Sequence, residues 1–170
     1  LAHLEPLLGD LLIEGEIART PRAVVYRIRA GMEGEGPGAL KALKVGLEPL
    51  DAAEAVRFRH EVRLLSEVRH PNVVEVFDYG VLPGGFPFLT MELVEGDVRG
   101  ACSRGDWPGF LDLALQAAAG LAHIHRHGIL HLDLKPENLG CAPEERRLRI
   151  LDFGLAQSAR GPLDRKIRGT

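Results

Sequence analysis

Polar residues in the second half of the chain have the types and spacing that phosphoryl-transfer chemistry requires. The segment from His131 to Asn138 contains Asp133 and Lys135, and Asp152 opens a second motif after a short apolar stretch. A carboxylate can orient a hydroxyl group, a lysine can neutralise charge on a moving phosphoryl group, and carboxylate and amide oxygens are ligands that Mg²⁺ prefers. Together the two segments therefore indicate transfer of a phosphoryl group from a nucleotide.

The periodicity around these segments predicts the elements that carry them. Apolar residues recur every three or four positions from Trp107 to His127, which predicts a long helix. Short strands are predicted near Leu139 and over 148–151, with a turn at 143–145 between them. This strand-turn-strand arrangement fits the spacing between the two polar segments.

Alternating apolar residues predict an antiparallel sheet in the first half of the chain. The predicted strands are two within residues 11–30, then 39–45, 73–79 and 86–93. Thr20 and Pro21 mark the turn between the first two strands, and a glycine-rich turn follows at 31–38. Five strands are therefore expected before the composition changes.

One helix is predicted between the third and fourth strands. Asp51 begins it, and Glu54 stands three residues later as its capping-box partner. Its apolar stripe is Phe58, Val62 and Leu65. We expect the helix to end at His70 to Asn72, where a proline interrupts the pattern.

The order of elements and the two motifs resemble the catalytic domain of eukaryotic-type protein kinases, of the kind found among bacterial Ser/Thr kinases, over roughly residues 8–170. The resemblance implies an α+β, protein-kinase-like bilobal fold. Residues 1–94 would form the N-lobe and hinge, with a five-stranded antiparallel sheet and one helix. Residues 95–170 would form the first part of a mainly helical C-lobe, so that the chain is one truncated kinase domain.

The resemblance assigns catalytic roles within the polar segments. Asp133 would accept a hydrogen bond from the substrate hydroxyl, and Lys135 would neutralise charge on the transferred phosphoryl group. Asn138 and Asp152 would supply oxygen ligands to Mg²⁺. The implied cofactors are ATP and Mg²⁺, and the implied substrate is a serine or threonine hydroxyl of a protein.

The resemblance also assigns residues to nucleotide binding. Lys44 would anchor the phosphates, with Glu61 on the predicted helix as its ionic partner. Strand periodicity places Ala42 and Lys44 on one face and Lys41 on the other, as a surface charge. The remaining adenine, ribose and phosphate contacts are assigned to Ala18, Val25, Met91, Glu92, Val94, Asp97 and Leu139.

Two departures from the kinase pattern bear on nucleotide binding. The phosphate-covering loop carries Ala18, Thr20 and Ala23 where the family has three glycines, and Pro21 removes a backbone amide. Gly140 stands where the family usually packs an apolar side chain beneath adenine. Both changes predict weaker nucleotide binding or a stiffer loop.

The activation segment departs from the pattern as well. Leu132 replaces an arginine that reads a phosphate on this segment, and Lys166 occupies the usual phosphorylation position. Between Asp152 and the chain end only Ser158 and Thr170 carry hydroxyl groups. Thr170 matches a threonine that hydrogen-bonds the catalytic aspartate and lysine. We therefore expect that phosphorylation does not switch this segment.

Composition disfavours several other classes. A net charge of −3 and a pI near 6.2 do not indicate nucleic-acid binding. Cys102 and Cys141 alone predict neither a disulfide framework nor a zinc site, and they favour a reducing, cytoplasmic setting. On a helix His125 points away from His123 and His127, which disfavours a histidine metal site. No apolar run is long enough to span a membrane, although the parent protein could be anchored outside this segment.

Three functions stay open from the sequence. A Ser/Thr protein kinase is favoured because the polar set is complete, whereas the altered glycine positions favour a pseudokinase that acts as a nucleotide-binding or scaffolding module. A small-molecule kinase of related fold is the third possibility, and the run from Leu134 to Asn138 speaks against it. We interpret Leu1 and Thr170 as cut points in a longer protein, so the fragment alone is expected to be weak or inactive. Oligomeric state is not predicted.

Overall fold

A computed structural model describes residues 11–30, 38–102, 105–142, 145–152 and 157–158. The chain divides into two compact units, one of residues 1–69 and 74–95 and the other of residues 70–73 and 96–170. Several residues that the sequence analysis singled out lie outside the described ranges: Leu1, residues 31–37 of the glycine-rich turn, residues 143–144 of the second predicted turn, Lys166 and Thr170.

The first unit contains the predicted five-stranded antiparallel sheet, with the strand order β1-β2-β3-β5-β4. The strands are β1 (Leu11–Arg19), β2 (Ala23–Ala30), β3 (Leu40–Gly46), β4 (Val76–Val81) and β5 (Pro87–Glu92). One face of the sheet is apolar and buries Val24, Tyr26 and Ile28 of β2 against Leu43 and Val45 of β3. Because successive side chains of a strand point to opposite faces, the residues between these lie on the other face.

Helix α1 (Ala52–Ser66) begins with the predicted capping box. The Asp51 carboxylate accepts from the Glu54 amide at 2.7 Å, and the Glu54 carboxylate accepts from the Asp51 amide at 2.9 Å. Val62 and Leu65 of the predicted stripe are buried. These reciprocal bonds satisfy two backbone donors that the first turn would otherwise leave without a partner.

The predicted end of α1 at His70 was wrong, since the helix ends at Ser66. The amide of Glu67 closes the last turn on the Arg63 carbonyl at 3.3 Å, and the Val68 amide donates to the Leu65 carbonyl at 3.0 Å. The strand that follows begins at Val76 rather than at residue 73. Residues 70–73 therefore continue neither the helix nor the strand, and they pack within the second unit.

The second unit is built on the predicted long helix and hairpin. Its elements are α2 (Val98–Ala101), α3 (Trp107–Arg126), β6 (Ile129–Leu130), a 3-10 turn (Pro136–Asn138), β7 (Leu139–Ala142), β8 (Arg147–Ile150) and β9 (Gln157–Ser158). Leu113 of α3 packs in a buried cluster with Cys141 of β7 and with Leu148 and Ile150 of β8. The short helix α2 was not predicted. Within the described ranges, no helix combines the length and apolar character needed to cross a membrane.

Helix α3 approaches the hairpin closely at Gly120. A Cβ atom at this position would lie 2.8 Å from Cδ1 of Ile150 and 2.9 Å from the carbonyl oxygen of Asn72. Both neighbours are fixed, because Ile150 is fully buried and its amide donates to that same Asn72 carbonyl at 2.9 Å. Glycine is therefore required here by close approach.

We predict that Gly120→Ala destabilises the protein by about 1–3 kcal/mol, since the added methyl group overpacks a rigid contact. Urea denaturation followed by circular dichroism measures the change. Gly100→Ala is the matched control, because a Cβ atom at Gly100 would meet nothing within 4 Å. Equal stability of the two variants would show that the Gly120 contact can relax.

Candidate active site

A buried histidine fixes the start of the polar loop between β6 and β7. The Nε2 atom of His131 lies 2.7 Å from the carbonyl oxygen of Leu151, and its Nδ1 atom accepts from the amide of Asp133 at 3.3 Å. Because the first partner is a carbonyl acceptor, Nε2 must carry the ring hydrogen. The ring thus ties the loop to the segment that follows β8.

The backbone on either side of these contacts adopts an uncommon conformation. Leu132 has φ 61° and Asp152 has φ 53°. Aspartate tolerates this left-handed region better than most residues, whereas for an ordinary L-residue it costs about 1–2 kcal/mol. The Leu132 side chain is 57 % exposed, so little packing offsets this cost locally. Such strain is common at functional loops.

Asp133, Lys135 and Asn138 lie together, as the motif spacing predicted. The ammonium group of Lys135 lies 2.7 Å from Oδ2 of Asp133, and the Asn138 amide nitrogen lies 3.2 Å from the same oxygen. The Asn138 nitrogen also donates to the Asp133 carbonyl at 2.8 Å. Among the described residues none donates a hydrogen bond to Oδ1 of Asp133, so this oxygen can accept one from another molecule.

These contacts shift the titration of both charged groups. The hydrogen bond from Lys135 lowers the pKa of the Asp133 carboxyl below its ordinary value, and Asn138 adds to the effect while the nearby charge of Asp152 opposes it. The same hydrogen bond raises the pKa of the Lys135 ammonium group. At neutral pH the site therefore presents a carboxylate beside a permanently charged lysine.

Asn138 and Asp152 have the chemistry of magnesium ligands. Asn138 is 5 % exposed, and because its amide nitrogen is committed to Asp133, its oxygen is the atom that it can offer to a cation. The backbone carbonyl of Asn138 accepts a hydrogen bond from the Leu151 amide at 2.8 Å, and the next residue, Leu139, pairs with Ile150 in the hairpin. Asp152 therefore follows directly after residues that are bonded to the Asn138 loop. Amide and carboxylate oxygens fit Mg²⁺.

The structure gives Asp97 several partners within its own unit. It caps α2 by accepting from the amides of Arg99 and Gly100 at 2.9 and 3.0 Å, and the Arg99 guanidinium binds its carboxylate at 2.7 Å. Arg99 also reaches Glu137 at 3.1 Å. Side-chain hydrogen bonding from Arg99 lowers the pKa of Asp97. The ribose contact assigned to Asp97 stays a prediction, and the Arg99 bridge was missed because no local motif marks it.

In the first unit, the predicted nucleotide-binding residues share one face of the sheet. Val25 pairs directly with Ala18 on one side and with Lys44 on the other. Ala42 pairs with Met91. Directly paired residues point to the same side, which is the face opposite the buried cluster of the sheet. The strand parity thus agrees with the sequence analysis, although contact with a nucleotide stays a prediction.

Lys41 and Glu61 are two further charged residues of the first unit that the sequence analysis singled out. Lys41 was expected to be a plain surface charge, but it is half-buried and its ammonium group lies 4.6 Å from the centre of the Phe77 ring. Burial raises the pKa of the Glu61 carboxyl, and Arg57 and His60 partly offset this effect. The ionic pairing of Glu61 with Lys44 stays a prediction.

Glu92 and Val94, which match kinase positions whose backbone groups hydrogen-bond adenine, lie at and just after the end of β5. The amide of Glu92 donates to the Glu75 carbonyl at 2.9 Å, so a contact of Glu92 with adenine would fall to its carbonyl oxygen. Val94 follows the strand and is half-buried. Both adenine contacts stay predictions.

The chain is similar to known protein kinases over most of its length. The profile of the protein kinase domain matches residues 22–170. Serine/threonine-protein kinase pkn2 of Myxococcus xanthus is 44 % identical over 70 % of this chain and 15 % of its own length. The DNA damage-responsive serine/threonine-protein kinase RqkA of Deinococcus radiodurans is 41 % identical over 78 % of this chain and 20 % of its own length. Serine/threonine-protein kinase PknL of Mycobacterium tuberculosis is 33 % identical over 91 % of this chain and 39 % of its own length. The chain therefore spans well under half of each relative.

We predict that Lys135→Met raises the pKa of Asp133, because the hydrogen bond that mainly lowers it is lost. As the pH falls, the carboxylate would then take up its proton at a higher pH than in the wild type, and any activity that needs the ionised form would decline earlier. Carboxyl NMR titration of labelled aspartate measures the shift. Lys41→Met serves as the control, and an Asp133 titration that does not move would contradict the prediction.

Proposed function

This chain belongs to the protein kinase family, and from that premise we propose that the protein containing it transfers the γ-phosphoryl group of Mg²⁺-ATP to a serine or threonine hydroxyl of a protein. The observation that carries the proposal is the arrangement at Asp133. Lys135 and Asn138 both bind its Oδ2, and no described residue donates to Oδ1. One carboxylate oxygen is thus held in place while the other can meet a substrate.

In this proposal Asp133 orients the substrate hydroxyl through Oδ1 and accepts its proton as the new bond forms. The lowered pKa keeps the carboxylate ionised at neutral pH, and a weakly basic carboxylate suits orientation better than early proton removal. Lys135 stays charged beside it and would stabilise negative charge on the transferred group. Mg²⁺-ATP, when bound, would supply the γ-phosphoryl group and leave as ADP, and its Mg²⁺ would neutralise charge on the phosphate oxygens.

The remaining residues of the site would hold the nucleotide and its metal. Asn138 through its amide oxygen and Asp152 through its carboxylate would bind Mg²⁺. Lys44, oriented by Glu61, would bind the phosphates. The sheet face and the end of β5 in the first unit are proposed to contact the nucleotide through Ala18, Val25, Ala42, Met91, Glu92 and Val94. Asp97 and Leu139 of the second unit are proposed to contact it as well.

We place this activity in the reducing cytoplasm. Cys102 and Cys141 are free thiols, and free thiols persist where glutathione and thioredoxin keep cysteines reduced.

A pseudokinase is the second candidate, and the turn between β1 and β2 favours it. The hydroxyl oxygen of Thr20 accepts from the amides of Arg22 and Ala23 at 3.3 and 3.0 Å. Amides bonded in this way cannot bind phosphate at the same time. This loop therefore offers fewer donors to a nucleotide than a glycine-rich loop would, and a nucleotide-binding or scaffolding module with little transfer activity would tolerate that loss.

We predict that Asp133→Asn lowers turnover by about 10²–10⁴-fold and leaves nucleotide affinity nearly unchanged, because the amide cannot take up the hydroxyl proton. Incorporation of labelled phosphate into a protein substrate by the full-length enzyme measures turnover, and a fluorescent nucleotide measures affinity. Asp78→Asn is the matched control at an exposed position. Equal incorporation by wild type and Asp133→Asn would contradict the assigned role, and nucleotide binding without any transfer would favour the pseudokinase.

We also predict that activity does not depend on phosphorylation of the activation segment. Leu132 offers no cation to bind a phosphate there, so a phosphate would gain no ion pair at this position. Phosphatase treatment of the full-length enzyme should change the initial rate by less than about twofold. Mass spectrometry of Ser158 and Thr170 is the control for phosphate removal. A large rate loss that follows dephosphorylation of either residue would refute the prediction.

A further inference from the structure

The outer edge of β8 is bonded to Asn72, through both its side chain and its backbone, and to Gln116, instead of to a neighbouring strand. Strand β7 pairs with β8 along one edge only. On the other edge, the side-chain nitrogen of Asn72 donates to the Leu148 carbonyl at 3.0 Å, and the Asn72 carbonyl accepts from the Ile150 amide at 2.9 Å. Leu148 and Ile150 are fully buried, where unpaired backbone groups would be costly. Asn72 thus replaces part of a missing strand.

Gln116 of α3 completes this edge, and its amide is fully used. Its oxygen accepts from the Leu148 amide at 2.9 Å and from the Asn72 side chain at 3.0 Å. Its nitrogen donates to the Asp112 carboxylate at 2.9 Å and to the Arg146 carbonyl at 3.0 Å. A side-chain amide has two donor hydrogens and two acceptor sites, so every bond that Gln116 can make is made. A fully satisfied network that is partly buried, as this one is, favours one arrangement of the groups that it joins.

The strand held in this way leads directly to Asp152. After Ile150, the Leu151 amide donates to the Asn138 carbonyl at 2.8 Å, and the Leu151 carbonyl is bonded to the ring of His131 at 2.7 Å. Four consecutive residues are therefore fixed before the chain turns at Asp152 with φ 53°. A carboxylate at the end of so constrained a backbone has little freedom to leave its position.

We propose that Asn72 and Gln116 are positioning residues that hold Asp152 where it binds Mg²⁺. The inference rests on the proposed function, in which Asp152 is a magnesium ligand. Neither residue would touch the metal or the nucleotide. They act through β8, in the same way that groups behind a metal ligand fix the ligand's orientation and thereby its affinity.

Asn72→Leu and Gln116→Met remove the side-chain hydrogen bonds of these residues and keep similar side-chain volume, while the backbone bond between the Ile150 amide and the Asn72 carbonyl is retained. We expect each substitution to raise the Mg²⁺ concentration for half-maximal activity by about tenfold in the full-length protein, the size of effect usual for groups behind a metal ligand. Affinity for nucleotide without metal should change less than about twofold, since in this proposal neither residue would contact the nucleotide. The double variant should be little worse than either single variant, because both remove the same network.

Two control variants separate positioning from general loss of stability. Asp112→Asn keeps an oxygen that accepts from Gln116, so its Mg²⁺ dependence should match the wild type. Ile124→Ala empties a buried position of α3 that makes none of the network's hydrogen bonds, so it should lower the melting temperature alone. If Asn72→Leu also lowers the melting temperature but leaves Mg²⁺ dependence unchanged, Asn72 is merely structural and the proposal is overturned.

Binding of Mn²⁺, followed by electron paramagnetic resonance, makes the test independent of turnover. If the wild type transfers no phosphate but binds Mn²⁺ more tightly than Asp152→Asn does, the proposed function is refuted while the Asp152 metal site remains. In that case a weaker Mn²⁺ affinity of Asn72→Leu would still support the positioning role of Asn72. If the wild type and Asp152→Asn bind Mn²⁺ equally, there is no Asp152 metal site to position and the inference fails.

Discussion

The hydrogen bonds of the His131 ring are the interaction on which the candidate catalytic segment depends. The ring is 3 % exposed and joins the Leu151 carbonyl to the Asp133 amide. One nitrogen must donate and the other must accept, which fixes both the orientation of the ring and its tautomer. Without these bonds the start of the loop that carries Asp133 would lose its connection to Leu151, and the bond from the Leu151 amide to the Asn138 carbonyl would hold only the end of the loop. The geometry of both carboxylates thus depends in part on a side chain that has no chemical role of its own.

This connection also explains how a bulky residue stays in the left-handed region at Leu132. Strained backbone persists only when its surroundings determine the conformation more strongly than the residue itself does. Here the two neighbours of Leu132 are bonded to each other through the His131 ring, and Asp133 is further held by Lys135 and Asn138. The hydrogen bonds around Leu132 therefore offset the cost of about 1–2 kcal/mol of its left-handed backbone conformation. The ion pair between Lys135 and Asp133 is partly exposed to solvent, so it orients the Asp133 carboxylate more than it stabilises the fold.

The sequence predicted those features that depend on near neighbours in the chain. The capping box at Asp51, the strand parity of β3 and the cluster from Asp133 to Asn138 all follow from spacings of a few residues. The predicted end of α1 was wrong because several bonds of residues 70–73 join partners 44 to 78 positions away, as those of Asn72 with Gln116 and Leu148 do. No periodicity records such a contact. The roles of Lys44 and Glu61 rest on the family resemblance, because ionic pairing depends on how a helix faces a sheet.

The division of the chain has a consequence for the order of events during synthesis. The sheet of the first unit is complete once β5 has been made, and its hairpins join residues that are near in sequence, which favours rapid pairing. The short segment at residues 70–73 must instead wait until β8 emerges, since its partners include Leu148 and Ile150. While the ribosome adds the intervening residues, Asn72 is hydrated and the second unit lacks its edge. Ordering of this segment thus marks a late step in the folding of the nascent chain.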